Sequence, residues 1–368
     1  MNGCASITGV GTDNSPAPNA LTQFNPQVKP VKIWSVNTSQ KINSNNSNYA
    51  PSVTNDAIYT AGNKGVVCSI NRQTGKINWR VNLNQPLISA VGAGNGLVIV
   101  GSEKSDLVAL NQLNGKTIWH IKLDSQLTSA PVLANNVIIA KLLGGTLIAL
   151  KQSTGTPMWT VNHGGPLMVL SGGSTPIVSG NKIIIGFADG TMAAYSFSQG
   201  KLLWENQLSQ PMGATDVEQM IDITATPTIS GNRVYSVNFQ GNISAQDINT
   251  GQIIWQQPLS STKELAVSDT MVYAVDSQGI VCGLNKQNGQ VIFKQNILKF
   301  RDLTSPVIIN HWVVVGDKEG YLHWLDPMNG KIVGRIKTDN YPIVANYADK
   351  LSDQILVFNN HSDIYSYK

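Results

Sequence analysis

Short apolar runs of about five residues, rich in Val and Ile, recur along the chain between polar turns. In order they read AIYTA, GLVIVG, NVIIA, KIIIGF, RVYSV, MVYAV and WVVVG. Each is followed by a second run: VVCSI, LVALN, TLIAL, TMAAY, NISAQ, IVCGL and YLHWL. Runs this short, bounded by Gly, Asn and Asp, predict strands rather than helices. An earlier run that often carries Pro, as in SAPVL, STPIV, TATPTI and TSPVI, and a later run that carries Trp bring each unit to four strands.

A turn motif sets the spacing of these units. It reads NRQTGKINW (71–79), NQLNGKTIW (111–119), KQSTGTPMW (151–159), SFSQGKLLW (196–204), DINTGQIIW (247–255), NKQNGQVIF (285–293) and DPMNGKIVG (326–334). Its glycines are Gly75, Gly115, Gly155, Gly200, Gly251, Gly289 and Gly330, at successive gaps of 40, 40, 45, 51, 38 and 41 residues. A four-stranded unit repeating at that period is a propeller blade. Glycine after Asn, Thr or Gln predicts a tight hairpin turn with a left-handed residue.

The units count to eight. Seven motifs are complete. ILVFNN and SDIYSYK supply the second and third strands of an eighth unit, and its fourth strand is missing. VKIWSV (31–36) is a Trp-bearing fourth strand with no partners before it. Placing Ile33 and Trp34 beside Tyr365 and Tyr367 closes the ring and removes a free sheet edge. The expected fold is all-β, an eight-bladed β-propeller over residues 31–368, with residues 1–30 as an N-terminal tether.

Composition narrows the function classes. Charged residues make up 13% of the 368, the formal net charge is +4, and no Lys/Arg block appears, which disfavours nucleic acid. No run of 18 apolar residues exists to span a membrane as a helix. The cysteines are Cys4, Cys68 and Cys282. Cys68 and Cys282 fall at one slot of non-neighbouring blades, beyond disulfide reach, and are expected to be free and buried. Cys4 follows a small residue, as at the end of a bacterial lipoprotein signal. A lipid there, ahead of the Pro- and Asn-rich stretch 5–30, suits a tether.

Candidate chemistry is sparse. Trp34, Trp79, Trp119, Trp159, Trp204 and Trp255 sit alike in their blades, which favours packing between blades over stacking on a cofactor. Phe293 and Gly334 at the same position indicate that it drifts. Asp317, Glu319 and Asp326 are expected on solvated turns. His323 takes the slot that Val108 and Ile148 fill elsewhere and is expected to be a plain strand residue. The histidines lack metal-motif spacing and no CxxC occurs, so no metal is expected, and with no adjacent cysteines and only scattered acids no quinone cofactor is expected either.

The repeat resembles the propeller of pyrroloquinoline-quinone dehydrogenases. GSEKSDLVALNQLNGKTIW (101–119) and LTSPVIINHWVVVGDKEGYLHWLDPMNGK (303–331) more closely resemble the outer-membrane assembly factor BamB family. That resemblance implies a lipid-anchored, non-enzymatic scaffold at the periplasmic face of the outer membrane. Such a scaffold binds the periplasmic domain of the central barrel subunit, BamA, and aids insertion of β-barrel clients. Two alternatives stay open: a quinone-dependent dehydrogenase, and a propeller that binds envelope peptide or polysaccharide.

The two long gaps mark the candidate site. Their extra length falls in HGGPLMVLSGGS (163–174) and NQLSQPMGATDVEQMIDIT (206–224), between the Trp strand and the next Pro strand. Apolar residues there (Leu167, Met168, Leu170, Met212, Val217, Met220 and Ile221) are expected to form a docking patch rimmed by Asp216, Glu218 and Asp222. The opposite reading is that the loops simply pack on each other. The resemblance places partner docking on these loops, in a pattern of leucines, then an arginine, then two acids. Leu170 matches a leucine and Asp222 an acid, whereas Ser171 and Thr224 replace the arginine and the second acid. The partner-binding candidates are therefore Met168, Leu170, Ser171, Asp216, Glu218, Gln219, Asp222 and Thr224, with Cys4 as the lipid attachment.

Overall fold

A computed structural model describes residues 16–40, 51–87, 90–166, 170, 172–212 and 214–368. Among them every regular element is a strand, and the strands form eight four-stranded antiparallel sheets. Blade one runs Ser52–Val53, Ala57–Ala61, Val66–Asn71 and Ile77–Asn82, and blades two to seven repeat that order along the chain. Blade eight takes Ile343–Asp349, Gln354–Asn359 and Asp363–Tyr367 from one end of the sequence and Lys32–Asn37 from the other. Trp34 pairs with Ser366 and Ser35 with Tyr365, so the ring closes as an eight-bladed propeller.

Burial follows the blade. The second and third strands are buried almost throughout, as Ile58, Val67 and Ile70 show, whereas the fourth strand alternates with solvent. That explains the apolar runs: inner strands are covered on both faces by neighbouring blades. Cys68 and Cys282 are free and buried.

The turn motif has two parts. In blades one, two, five, six and seven its first residue, Asn71, Asn111, Asp247, Asn285 or Asp326, accepts backbone N–H groups two and three residues on. The glycine takes positive φ, +70° at both Gly75 and Gly115. The indole of the preceding blade then lies over that glycine. A Cβ on Gly115 would stand 2.7 Å from Trp79 Cε3, and one on Gly289 2.5 Å from Trp255 Cε3. Each indole also donates to a carbonyl of the next blade: Trp79 to Gln112 (3.0 Å), Trp119 to Gln152 (2.9 Å), Trp159 to Phe197 (3.2 Å), Trp204 to Ile248 (3.1 Å) and Trp255 to Lys286 (3.0 Å). Trp34 also covers Gly75 across the closure, but its Nε1 meets no carbonyl there.

Gly334 is not simple drift, which corrects the expectation. Within each sheet the aromatic faces a small residue on the third strand, as Trp79 faces Ser69 and Trp119 faces Ala109. Blade seven exchanges the two: Gly334 faces Trp324. Blade eight joins its third and fourth strands through pairing of sequence-distant segments, so it has no motif turn for blade seven to cover. Val28 lies against Gly334 instead, where a Cβ would be 2.9 Å from Val28 Cβ.

Residues 16–30 carry no strand and run along blades six and seven. Leu21 and Phe24 pack on the blade-six and blade-seven core, and Val28 donates its N–H to Val333 at 3.0 Å. Arg301 donates to the Asn19 carbonyl (2.8 Å) and Arg335 to that of Thr22 (3.0 Å).

Beneath that segment lies a buried polar group, which corrects the solvated-turn expectation for Asp317. Asp317 is fully buried and accepts from Arg301 Nε at 2.7 Å. His323, also fully buried, sits 2.9 Å from Asp317 through Nε2, and its Nδ1 accepts from Arg335 Nε at 3.1 Å. His323 is thus a strand residue that also closes a hydrogen-bond network. Burial raises the Asp317 carboxyl, but its hydrogen bonds to His323, the Tyr321 amide and Arg301 outweigh this and hold it below the usual carboxylate range. Burial lowers the His323 pKa, so the ring is neutral and donates through Nε2. Glu319 pairs with Arg301 and stays half exposed, and Asp326 caps its own turn.

Candidate functional site

The described residues of the two long loops meet where blades three, four and five adjoin. The first follows Pro157–Asn162, the outer strand of blade three. The second follows Leu202–Gln207, the outer strand of blade four. Leu170 donates its backbone N–H to the Asp222 carboxylate, which ties one loop to the other.

The second loop is a fixed shelf. Ile223 N–H donates to Phe187 O (3.1 Å), Phe239 N–H to Asp222 O (3.0 Å) and Gln240 Nε2 to Val217 O (2.9 Å). Residues 215–218 form a capping box: Glu218 N–H donates to Thr215 Oγ1 (3.2 Å), and the Glu218 carboxylate accepts from Thr215 N–H (3.1 Å) and Ala214 N–H (2.9 Å). Those amides hold the Glu218 carboxyl below its usual range.

The candidates separate by burial. Asp216, Glu218 and Gln219 are exposed, as are Met212 (76%) and Val217 (60%). Leu170 and Thr224 are partly buried, and Thr224 Oγ1 has no hydrogen-bond partner. Asp222 is 1% exposed, so it does not rim the patch as expected; it lies beneath, where it serves the Leu170 amide. Burial raises its carboxyl pKa against the Leu170 amide and the charge of Lys141. Cys4, Leu167, Met168 and Ser171 lie outside the described residues.

The repeat pattern held a signal that the sequence reading missed. The second strands of blades one, two, four, five, six and seven end in Ala61, Gly101, Gly186, Val237, Val275 and Gly316, but that of blade three ends in Lys141. Its buried ammonium donates to Gly186 O at 2.7 Å and lies 5.2 Å from the Phe187 ring centroid. Burial pushes its pKa down to about 8, while Asp222 and Asp189 pull the other way. Beside it His163 stacks on Phe187 at 3.7 Å and bonds Asp189 at 3.0 Å and Tyr195 at 3.4 Å. Burial raises the Asp189 carboxyl, but the His163 and Thr191 hydrogen bonds outweigh it, so the group remains a carboxylate.

A cavity of about 510 Å³ opens between the loops. Its apolar lining is Pro166, Ala188, Pro211, Met220 and Ile221, and Asp189, Asp216 and Gln219 add the polar part. Among the described residues no three of His, Cys, Asp or Glu converge as a metal-holding group. The site offers shape, apolar surface and negative charge.

Known proteins match this architecture over most of its length. A family model described as outer membrane protein assembly factor BamB matches residues 31–116 and 63–295. The outer membrane protein assembly factor BamB of Legionella pneumophila (strain Paris) is 39% identical over 336 residues, which is 90% of this chain and 88% of that one. The crystal structure of BamB from Moraxella catarrhalis superposes with a TM-score of 0.83 at 22% identity, covering 92% of this chain and all of the other. A quinohemoprotein alcohol dehydrogenase from Pseudomonas putida HK5 shares the fold at TM-score 0.71 and 12% identity, over 92% of this chain and 76% of its own. Sequence identity and the matched family together place the chain: it belongs to the BamB family of outer membrane protein assembly factors.

Proposed function

We propose that this chain is a non-catalytic scaffold of outer-membrane β-barrel assembly. It docks the periplasmic domain of a BamA-like barrel subunit through the two long loops and thereby aids insertion of barrel clients. The observation that carries the reading is the Leu170–Asp222 hydrogen bond, which joins two loops from different blade junctions. The names of the relatives support the setting. Asp222 acts as the tie between the loops, and contact with the partner falls to Leu170, Asp216, Gln219 and Thr224, with Met168 and Ser171 in the same stretch. A lipid on Cys4 holds the propeller at the periplasmic face of the membrane.

The test is titration calorimetry with the barrel subunit's periplasmic domain. A Leu170→Asp plus Asp222→Arg double variant is expected to abolish binding. Asp216→Arg, an exposed substitution that spares the tie, is expected to weaken it. Undiminished binding by both variants overturns the site. Intact mass of protein extracted from membranes reports the lipid at Cys4. A dye-linked assay with added quinone and calcium is expected to show no turnover.

A further inference from the structure

We propose that the crevice between blades two and three is a binding surface for an extended segment of another protein, one that carries two apolar side chains three residues apart. The chain fills an equivalent crevice with its own residues, and so shows how such a guest is held.

That guest is the segment 16–30, seated between blades six and seven. Leu21 and Phe24 pack on the core there, and the Phe24 ring centroid lies 5.0 Å from the Arg335 guanidinium. Backbone groups make most of the polar contacts. Asn19 N–H donates to Lys299 O (3.1 Å), and the Thr22 carbonyl accepts from Arg335 (3.0 Å). Gln27 and Val28 N–H both donate to Val333 O, at 2.7 and 3.0 Å. Val333 is the bulge residue of its strand, since pairing with the third strand steps from Gly334 to Ile332 and skips it. Contacts of this kind hold an extended backbone whatever its sequence, and the two apolar side chains supply the preference.

Between blades two and three the equivalent crevice is open, with a volume of about 540 Å³. Aligned on the outer strands, Pro157 takes the place of Ile332, Met158 that of Val333 and Thr160 that of Arg335. Blade three skips Met158 at the same bulge, between Trp159 and Pro157. Leu123, Leu142 and Ile148 lie deepest, at 7%, 3% and 7% exposure. Leu142 and Ile148 stand where blade seven has the buried pair Asp317 and His323. This crevice is therefore the more apolar of the two and suits side chains that need no hydrogen bond. Leu143 and Met158, next in sequence to lining residues, are 48% and 47% exposed, a cost in water that a covering guest relieves.

The junction of blades five and six has a hollow of about 470 Å³ at the same place. There Asp276 and Lys294 replace Leu142 and Thr160, which makes it a poorer seat for apolar groups. The chain's own segment is already placed on blades six and seven, so the guest comes from another protein. No lining residue of the crevice belongs to either long loop, and the proposal stands apart from the docking reading.

The test uses the full chain labelled with 5-fluorotryptophan, in which each indole gives its own fluorine resonance. Trp119 lies over Gly155, a lining residue of the crevice, and Trp255 lies over Gly289 at the junction of blades five and six. The probe is a synthetic peptide with the sequence of residues 17–30. Its control carries Leu21→Ser and Phe24→Ser. The probe is expected to shift Trp119 saturably and leave Trp255 in place, and the control to shift neither. Trp324, beneath the resident segment, is expected to stay, because a tethered guest outcompetes a free one. Thr160→Tyr, at an exposed position that lines the hollow, is expected to weaken the peptide by about tenfold or more. A shift confined to any other indole, equal response to both peptides, no response, or full affinity in a folded Thr160→Tyr variant overturns the proposal. If that variant does not fold, the two peptides on the unsubstituted chain decide it.

Discussion

The indole of Trp79 occupies the space where Gly115 of the next blade would carry a Cβ, 2.7 Å from that point, and donates to the Gln112 carbonyl of the same turn. The two motif residues thus act on each other across blades rather than within one. The glycine serves its own turn by its φ of +70° and serves its neighbour by its missing side chain.

Trp79→Ala is expected to cost about 3–5 kcal/mol of unfolding free energy. Gly115→Ala is expected to cost about 1–2 kcal/mol for the left-handed backbone alone, and more for the collision. The double variant is expected to cost clearly less than the sum, because the new methyl enters the space the indole left. A urea double-mutant cycle measures this, and additive costs would refute the interlock.

Lys141 makes stability depend on pH in an uncommon direction. Its folded pKa, about 8, lies below the ordinary 10.5. Between those values the unfolded chain holds a proton that the folded chain has lost, so stability rises with pH across the window and the penalty is full below pH 8. Lys141→Met removes that slope. Relative to the wild type, the variant is expected to fare better at pH 7 than at pH 10.5 by on the order of 3 kcal/mol. Denaturation curves at the two pH values give the difference directly, and an unchanged difference sinks the assignment.

Arg301 neutralises buried Asp317 and holds the Asn19 carbonyl. Arg301→Met strands that carboxylate and is expected to cost about 3–5 kcal/mol. It also frees the segment above, so amide exchange is expected to accelerate at Asn19, Gln27 and Val28, whose N–H groups donate to Lys299 and Val333. Asp317 has a lowered folded pKa, so its contribution is present above the usual carboxylate value and lost as pH falls through the folded one. The variant should lose less of its remaining stability on acidification. Thermal melts at pH 7 and 3 test that.

Removing Lys32–Asn37 leaves Asp363–Tyr367 as an open edge on blade eight. Unpaired edges recruit other strands. A chain that starts after Asn37 is expected to self-associate, with a lower melting temperature and a larger species on size exclusion. A monodisperse monomer would show that the closure is dispensable.

The blades were legible because each repeats a local pattern, with turn residues and β-branched runs in fixed phase. The closure was legible from a fourth strand and a three-stranded unit that each lacked partners. What stayed hidden depends on which unlike residues the ring brings together. Asp317 looked like any turn acid, since nothing in its own unit shows that Arg301 and His323 converge on it. Asp222 looked like a rim acid because the Leu170 amide that buries it lies 52 residues away. Gly334 looked like drift until Trp324 proved to hold the large half of its pair. Lys141 was visible in the repeat alignment, but a lone charge at an apolar slot gives no hint of a role until Gly186 and Phe187 stand beside it.

Asn37 and Asp363 hydrogen-bond across 326 residues of sequence, whereas most other strand pairs are formed between near neighbours. Blades one to seven can each zip up as soon as their own residues are available, but Lys32–Asn37 has to wait for the far end of the ring. The entropy of closing so long a loop grows only with the logarithm of its length, so the delay lies in the search and not in the equilibrium. The docking of Lys32–Asn37 on Asp363–Tyr367 is accordingly expected to be the last strand pairing to form. Until then one ready-made strand stays single, and any partner that supplies a free edge competes for it.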